Sequence, residues 1–188
     1  MSKQLTLILG GARSGKSNLA ERLAGQYESV LFVATAEPLD EDMERRIARH
    51  KISRPHHWMT LEEPVDLASS LLATDDQHDI CLVDCLTVWV SNLLLRIEDR
   101  VDAEDAIVNA AERLLDAYDI STASWIVVSN EVGLGVVPPT PLGRRYRDAL
   151  GRVNQLVAAR ADKVYFMVAG LALELKSAGA IPLTDVDH

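Results

Sequence analysis

The chain has 188 residues, 48% of them hydrophobic, which is enough for one globular domain with a full core and too few for two of comfortable size. Nineteen Lys and Arg residues against 28 Asp and Glu residues give a net charge of −9. This charge argues against a nucleic-acid-binding surface, because the phosphates of such a partner would be repelled, and it favours a small-molecule ligand.

The first predicted strand, residues 5–9, is followed directly by a segment that matches the phosphate-binding loop G-x-x-x-x-G-K-[ST] at every constrained position. Its glycines allow backbone N–H groups to surround a phosphate, and the helix predicted over residues 16–26 adds the positive end of its dipole. Lys16 is expected to reach the β- and γ-phosphates, and the Ser17 hydroxyl to hold Mg²⁺. The predicted nucleotide-binding residues here are Gly10, Gly11, Ala12, Arg13, Ser14, Gly15, Lys16 and Ser17.

Short apolar runs alternate with stretches of helical period along the chain, a pattern typical of β-α units around a mostly parallel sheet. Strands are predicted over residues 5–9, 30–34, 80–84, 125–129 and 164–168, and helices over residues 16–26, 40–51, 63–73, 87–97, 103–119 and 141–160. Thr140 is the predicted N-cap of the last helix, with Pro141 at its first position. We expect one α/β phosphate-loop domain over residues 1–176 and a partly disordered tail over residues 177–188.

The second predicted helix, residues 40–51, carries a histidine on its apolar face. Leu39, Met43, Ile47 and His50 are spaced i, i+4, i+8 and i+11, which directs the imidazole inward or into a cleft. Basic residues surround it in sequence: Arg45, Arg46, Arg49, Lys51 and Arg54. A neutral imidazole in that setting can act as a nucleophile, whereas a histidine near a helix end is more often a structural partner of the last carbonyls. The residues alone leave both interpretations open.

Acidic residues stand at or after the ends of two predicted strands. In open parallel sheets ligands bind at the carboxyl ends of the strands, so these residues are candidates for a site. Asp84 ends the strand at residues 80–84 and is the predicted Mg²⁺ ligand, through water; the alternative is an aspartate that only caps the next helix. Glu131 follows the strand at residues 125–129 and is either a base or second metal contact, or a carboxylate that orders its loop. A second basic cluster also suits phosphates, and it consists of Arg144, Arg145, Arg147 and Arg152.

The remaining cysteine, histidine and tryptophan residues favour structural roles. Cys81 and Cys85 are expected to be buried reduced thiols, since they are four residues apart along a predicted strand, too far for an easy disulfide. Neither has zinc-ligand spacing, so a structural metal is not expected. We expect Trp58, beside His56 and His57, to cover the edge of the core, and His78 to be solvated. The first residues enter a strand at once and no apolar run reaches membrane-spanning length, which predicts a cytoplasmic location.

Several segments together resemble one enzyme family over nearly the whole chain, to about Lys176. They lie at residues 10–17, 34–36, 46–50, 54–58, 82–87, 92–94, 129–138 and 147–155. The most specific are Asn-Glu-Val-Gly-Leu-Gly-Val-Val-Pro at residues 130–138 and Gly-Arg-Val-Asn-Gln at residues 151–155. This pattern resembles the bifunctional adenosylcobinamide kinase / adenosylcobinamide-phosphate guanylyltransferases of cobalamin biosynthesis.

The resemblance implies a recombinase-type phosphate-loop sheet, a trimeric assembly with sites near subunit contacts, and two reactions that use ATP or GTP and Mg²⁺. In the first, adenosylcobinamide is phosphorylated; in the second, GMP passes from GTP to the product through a guanylyl-histidine. The family's guanylylated histidine corresponds to His50, and its magnesium-binding acid to Asp84, where some relatives carry Glu. Glu62 and Glu63 fall near the family's guanine-contact region.

Two other functions remain as alternatives at this stage. One is a monofunctional phosphate-loop kinase of another small alcohol, in which His50 is structural. The other is a nucleotide-dependent switch or assembly ATPase that acts on a partner, although the acidic composition argues against a nucleic-acid partner.

Overall fold

A computed structural model of the protein describes residues 2–37, 44–45, 55–74 and 78–182. Within these ranges seven strands form one sheet: β1 Leu5–Gly10, β2 Val30–Ala34, β3 Met59–Glu62, β4 Ile80–Asp84, β5 Ser124–Val128, β6 Lys163–Val168 and β7 Leu171–Glu174. Their order in space is β3-β2-β4-β5-β1-β6-β7, and every neighbouring pair is parallel except β6 and β7. The predicted α/β fold with a mostly parallel sheet is confirmed.

Helices cover both faces of this sheet. They are α1 Lys16–Ala24, α2 Leu67–Thr74, α3 Leu86–Ile97, α4 Ala103–Ile120 and α5 Pro141–Arg160. Successive side chains of a strand point to opposite faces, so Leu7 of β1 packs with the core under α2 to α5, while Ile8 packs with Ala20 of α1. All six residues of β1 are buried, as expected for a strand covered on both faces.

Most predicted elements lie where the local sequence pattern placed them. The strands at residues 30–34 and 80–84 and the helix at residues 141–160 have the predicted bounds. Thr140 is confirmed as the N-cap of α5, because its Oγ1 accepts a hydrogen bond of 3.1 Å from the Gly143 N–H, and Pro141 occupies the first turn. Trp89 and Trp125 are buried in the core, as the surrounding apolar residues indicate.

Two strands were missed and one helix start was wrong. The side chains of β3 and β7 are mostly exposed, so neither strand shows a buried apolar run. The helix predicted from residue 63 begins at Leu67 instead. Glu63 orders the preceding turn: its carboxylate accepts bonds of 2.8 Å from the N–H groups of Val65 and Asp66 and from the Ser70 hydroxyl. Although partial burial opposes the shift, these bonds lower the pKa of Glu63.

Some predictions concern residues that the structure does not describe. The predicted helix at residues 40–51, including His50, lies outside the described ranges apart from residues 44–45. The domain boundary after residue 176 also stays a prediction. Across the described ranges, no helix combines the length and the apolar character that crossing a membrane requires.

Candidate nucleotide-binding site

The loop between β1 and α1 has a backbone shape that requires glycine. Gly10 has a φ of 152°, and a Cβ atom at this position would lie 2.4 Å from the Met167 carbonyl oxygen of β6. Gly15 has a φ of 97° and stands directly before Lys16, the first residue of α1. The Ser14 carbonyl accepts a bond of 3.0 Å from the Gly170 N–H, so the turn between β6 and β7 supports the loop. Residues 13–18 line a concavity of about 250 Å³ at the start of α1.

The Lys16 side chain is folded over this loop and only 8% of the residue is exposed. Its Nζ donates to the Gly11 carbonyl oxygen at 2.6 Å and to the Ser14 Oγ at 3.4 Å. Burial lowers the pKa of Lys16, and the neighbouring Cys85 and Asp84 oppose that shift. The loop thus holds an ammonium group where phosphate oxygens, bound by the loop amides, can pair with it.

Asp84 ends β4 at the same edge of the sheet, where it is paired in register with Ala34 of β2 and Val128 of β5. Strand β5 separates β4 from β1, yet the Asp84 charge acts on Lys16. The part of the chain that the structure describes contains no group of three or more His, Cys, Asp or Glu side chains able to hold a metal by itself. Ser17 and Asp84 nevertheless suit Mg²⁺, which prefers oxygen ligands and keeps water and phosphate oxygens in its shell.

Glu131 lies beside the phosphate loop, but its carboxylate has a local partner. Its N–H donates to the Gly10 carbonyl at 3.2 Å, which brings the end of β5 against the loop. Its Oε1 accepts a bond of 2.6 Å from the Gly133 N–H. These contacts favour the loop-ordering interpretation of Glu131, and its predicted catalytic or metal role stays a prediction.

A buried asparagine on α5, which sequence reasoning missed, supports this end of β5. The Ser129 hydroxyl donates to the Asn154 Oδ1 at 2.7 Å, and the Asn154 Nδ2 donates to the Asn130 carbonyl at 3.0 Å. The Asn130 N–H in turn donates to the Thr87 Oγ1 at 2.8 Å. The available signal was one polar residue between Val153 and Val157 on the apolar face of α5.

A second buried asparagine, Asn92 of α3, connects the two chain segments that flank residues 38–54. Its Nδ2 donates to the Thr35 carbonyl at 2.8 Å and to the Pro64 carbonyl at 3.1 Å. Thr35 bonds the residue after Asp84, since its hydroxyl donates to the Cys85 carbonyl at 2.8 Å and accepts from the Cys85 N–H at 2.9 Å. One turn further along α3, Arg96 donates two bonds of 2.9 Å to the Glu37 carboxylate. Helix α3 therefore holds the chain at Thr35 and Glu37, before residues 38–54, and at Pro64, after them.

We expect Asn92→Ala to lower the free energy of unfolding by about 1–3 kcal/mol, because the buried Thr35 carbonyl and the half-buried Pro64 carbonyl lose their hydrogen-bond donor. Urea denaturation followed by tryptophan fluorescence measures this change. Asn109→Ala, at an exposed position of α4, is the matched control and should shift stability by less than about 0.5 kcal/mol. Equal effects of the two substitutions would contradict the role of Asn92.

Both cysteines are free thiols, as predicted. Cys81 is buried within β4, and Cys85 is the N-cap residue of α3. Burial, with the adjacent charge of Asp84, raises the pKa of the Cys85 thiol to about 11. Cys85 is therefore neutral at physiological pH and is not an activated nucleophile.

The predicted basic cluster on α5 does not form one phosphate-binding surface. Arg144 donates to the carbonyls of Pro138 and Pro139, and Arg145 donates to the carbonyls of Glu98 and Arg100. These two guanidinium groups join loops to the helix. Arg147 pairs with Asp148 at 3.0 Å and Arg152 with Asp105 at 2.9 Å.

Three other predicted residues have defined places. Glu62 is exposed at the end of β3, in register with Ala34, and its guanine-contact role stays a prediction. Trp58 is buried and packs in the core beside α1, which confirms its covering role. His78, expected to be solvated, is partly buried, and its Nδ1 is hydrogen-bonded to the Ser29 Oγ at 2.9 Å. That expectation was wrong because the partner lies far away in sequence.

Comparison with known proteins shows similarity along most of the chain. The family model described as CobU, cobinamide kinase / cobinamide phosphate guanyltransferase, matches residues 6–175. The bifunctional adenosylcobalamin biosynthesis protein CobP of Pseudomonas aeruginosa is 49% identical over 172 residues, which are 90% of this chain and 96% of that protein. The corresponding CobU protein of Salmonella typhimurium is 41% identical over 180 residues, covering 92% and 99% of the two chains.

Among solved structures, the RadB recombinase aligns with 87% of this chain and 73% of its own. The sequence identity is 16% and the TM-score is 0.49.

Proposed function

The chain belongs to the cobinamide kinase / cobinamide phosphate guanyltransferase family, and from this we propose that it is a bifunctional enzyme that activates adenosylcobinamide in two reactions. In the first, the hydroxyl oxygen of the aminopropanol arm attacks the γ-phosphorus of ATP or GTP. A new O–P bond forms, the bond from the γ-phosphorus to the bridging oxygen breaks, and a nucleoside diphosphate leaves. The hydroxyl proton passes to a base, for which Glu131 is our candidate because it lies beside the phosphate loop, although its Oε1 also orders the loop through the Gly133 N–H.

The second reaction has two steps and uses His50 as the nucleophile. A ring nitrogen of His50 attacks the α-phosphorus of GTP, a P–N bond forms, and pyrophosphate leaves. A phosphate oxygen of adenosylcobinamide phosphate then attacks the same phosphorus and the P–N bond breaks. The products are adenosylcobinamide-GDP and free His50, so that phosphorus, charge and protons balance over the cycle.

The observation that carries the proposal is the loop of residues 10–17 with Lys16 buried over it. A triphosphate in this loop would be bound by backbone N–H groups, by the N-terminus of α1 and by the Lys16 ammonium. These groups are already ordered before reaction, and they stabilise the negative charge that develops on the departing diphosphate or pyrophosphate. The same loop therefore serves both reactions, and Glu62 is our candidate for contact with the guanine base.

We further propose that Mg²⁺ is the metal cofactor and that Ser17 and Asp84 hold it, Asp84 through water. When bound, Mg²⁺ neutralises phosphate charge and orients the oxygens of the nucleotide. The Ser17 hydroxyl and the Asp84 carboxylate have the oxygen chemistry that this ion prefers.

The remaining parts of the proposal concern assembly and context. We propose a homotrimer in the cytoplasm, in which residues 1–176 form the catalytic domain and residues 177–188 a tail. Support for the trimer comes from family membership and from exposed apolar side chains, which include Val136, Leu171 and Leu173.

Covalent labelling tests the central claim. The protein is incubated with Mg²⁺ and GTP labelled at the α-phosphate, without corrinoid, and label in the protein is compared with the pyrophosphate released. We expect one guanylyl group per active site, labile in acid and stable in base as a phosphoramidate is. If adenosylcobinamide is phosphorylated but no label enters the protein, the enzyme is a monofunctional kinase and the transferase proposal is wrong.

A further inference from the structure

A second cavity, of about 480 Å³, lies between α5 and the loop after β5. Leu9 and Glu131 line it on the side of the phosphate loop. From α5 it is lined by Arg147, Gly151 and Gln155, which are spaced i, i+4 and i+8 and so share one stripe of the helix. Its volume lies within the range of small-molecule sites.

This cavity adjoins the first residue of the phosphate loop. Leu9 is the residue before Gly10, and the Glu131 N–H donates to the Gly10 carbonyl at 3.2 Å. The cavity also adjoins the end of β5, the strand that lies between the Lys16 loop and Asp84. The cavity and the phosphate loop therefore lie at the same edge of the sheet and meet at Leu9, Gly10 and Glu131.

Gly151 has no evident structural reason to be glycine. It lies inside the 20-residue helix α5, where glycine is less favourable than alanine. Apart from its chain neighbours and the adjacent backbone of α5, no heavy atom of the described residues would lie within 4 Å of a Cβ atom added there, so close packing does not exclude a side chain. What the missing side chain provides is space, on the stripe of α5 that faces the cavity.

We propose that this cavity, which we call the α5 cavity, is the acceptor site, an inference that rests on the proposed function. It holds the aminopropanol arm and an adjoining amide-bearing edge of the corrinoid, with the arm's hydroxyl or phosphate directed toward the loop. The corrin ring itself is too large for the cavity and lies outside it. Gly151 leaves room for the arm.

The polar groups of the α5 cavity match this ligand. The Gln155 amide can exchange hydrogen bonds with the primary amides of a corrinoid. The Arg147 guanidinium can bind the acceptor phosphate with two parallel bonds, and its partner Asp148, whose side chain is 52% exposed, can turn into water. Arg147 is therefore expected to favour the phosphorylated acceptor over the unphosphorylated one.

The test separates the acceptor from the nucleotide. Gly151→Trp fills the α5 cavity, Gly151→Ala adds only a methyl group, and Asn109→Trp places the same bulky ring at an exposed position of α4. We expect Gly151→Trp to raise the KM for adenosylcobinamide about tenfold or more, an effect of the size that loss of a few ligand contacts produces. The Gly151→Trp variant should still be guanylylated by GTP, without corrinoid, at the wild-type rate. Gly151→Ala and Asn109→Trp should stay within about twofold of wild type in KM, a change worth less than 0.5 kcal/mol.

Arg147→Met provides a second measurement. It keeps most of the length of the side chain, so this variant should fold even if Gly151→Trp does not. We expect its KM to rise more for adenosylcobinamide phosphate than for adenosylcobinamide. An unchanged KM in both variants overturns the proposal, as does a parallel loss of corrinoid-independent guanylylation. A change in sedimentation with no change in KM also overturns it and makes the cavity a subunit contact. If the wild type takes up no guanylyl label, the proposed function fails, while the KM for phosphorylation still tests the acceptor site.

Discussion

Lys16→Ala should reduce both phosphorylation and enzyme guanylylation by about 10²–10³-fold, the loss expected when one preorganised charge-stabilising donor is removed. Lys16 is the buried cation of the phosphate loop, and its Nζ lies 2.6 Å from the Gly11 carbonyl oxygen. In the proposed mechanism both reactions release a negatively charged phosphate group from this loop, so both should lose the same stabilisation. Initial rates of phosphorylation and of pyrophosphate release measure the two losses separately.

The matched control is Lys163→Ala, which removes one positive charge from an exposed position of β6. It should leave both rates within about twofold of wild type, because the charge of an exposed side chain is screened by water and salt. Thermal unfolding of Lys16→Ala identifies any loss that comes from folding. If Lys16→Ala keeps substantial guanylylation while phosphorylation is lost, the two reactions do not share this loop.

His50→Ala should lower GMP transfer by about 10³-fold or more, because the proposed nucleophile, the ring nitrogen that would form the P–N bond, is gone. Phosphorylation should remain within severalfold of wild type, since the hydroxyl of the acceptor attacks the γ-phosphorus directly. The guanylyl label on the protein and the formation of adenosylcobinamide-GDP measure the first effect, and adenosylcobinamide phosphate formation measures the second.

His56→Ala is the control for His50, because His56 is an exposed histidine six residues away in sequence. It should retain full labelling. Peptide mapping of the labelled wild-type protein should find the guanylyl group in the peptide that contains residue 50. An equal loss of phosphorylation and GMP transfer in His50→Ala would indicate a positional role, and label on another residue would exclude His50 as the nucleophile.

Residues on α3 hold the chain on both sides of residues 38–54, the stretch of sequence that contains His50. Asn92 bonds the carbonyls of Thr35 and Pro64, and Arg96 bonds the carboxylate of Glu37. These contacts hold the chain on both sides of residues 38–54 against a helix that begins just after Asp84. If His50 is the nucleophile, as proposed, we expect substitutions of Asn92 or Arg96 to lower GMP transfer more than phosphorylation.

The sequence by itself determined the local parts of this protein. The spacing of Gly10, Gly15 and Lys16 defines the phosphate loop, and the apolar runs at residues 30–34 and 80–84 define two central strands, because both patterns depend on residues close together in the chain. The N-cap at Thr140 is also a local feature, since the Thr140 hydroxyl accepts a hydrogen bond from the N–H group three residues later.

Only the tertiary structure decided which distant residues meet. Asn92 bonds carbonyl groups that are distant in sequence, and β3 pairs with β2 across many intervening residues. The open space over Gly151 also depends on how distant segments pack. No local period in the sequence encodes such contacts. The guanidinium groups of Arg144 and Arg145 illustrate the same limit, because their charge suggested phosphate while their neighbours are carbonyl groups of the protein. The sequence specifies the chemistry of each side chain, but the packing of the sheet and helices determines which group that side chain contacts.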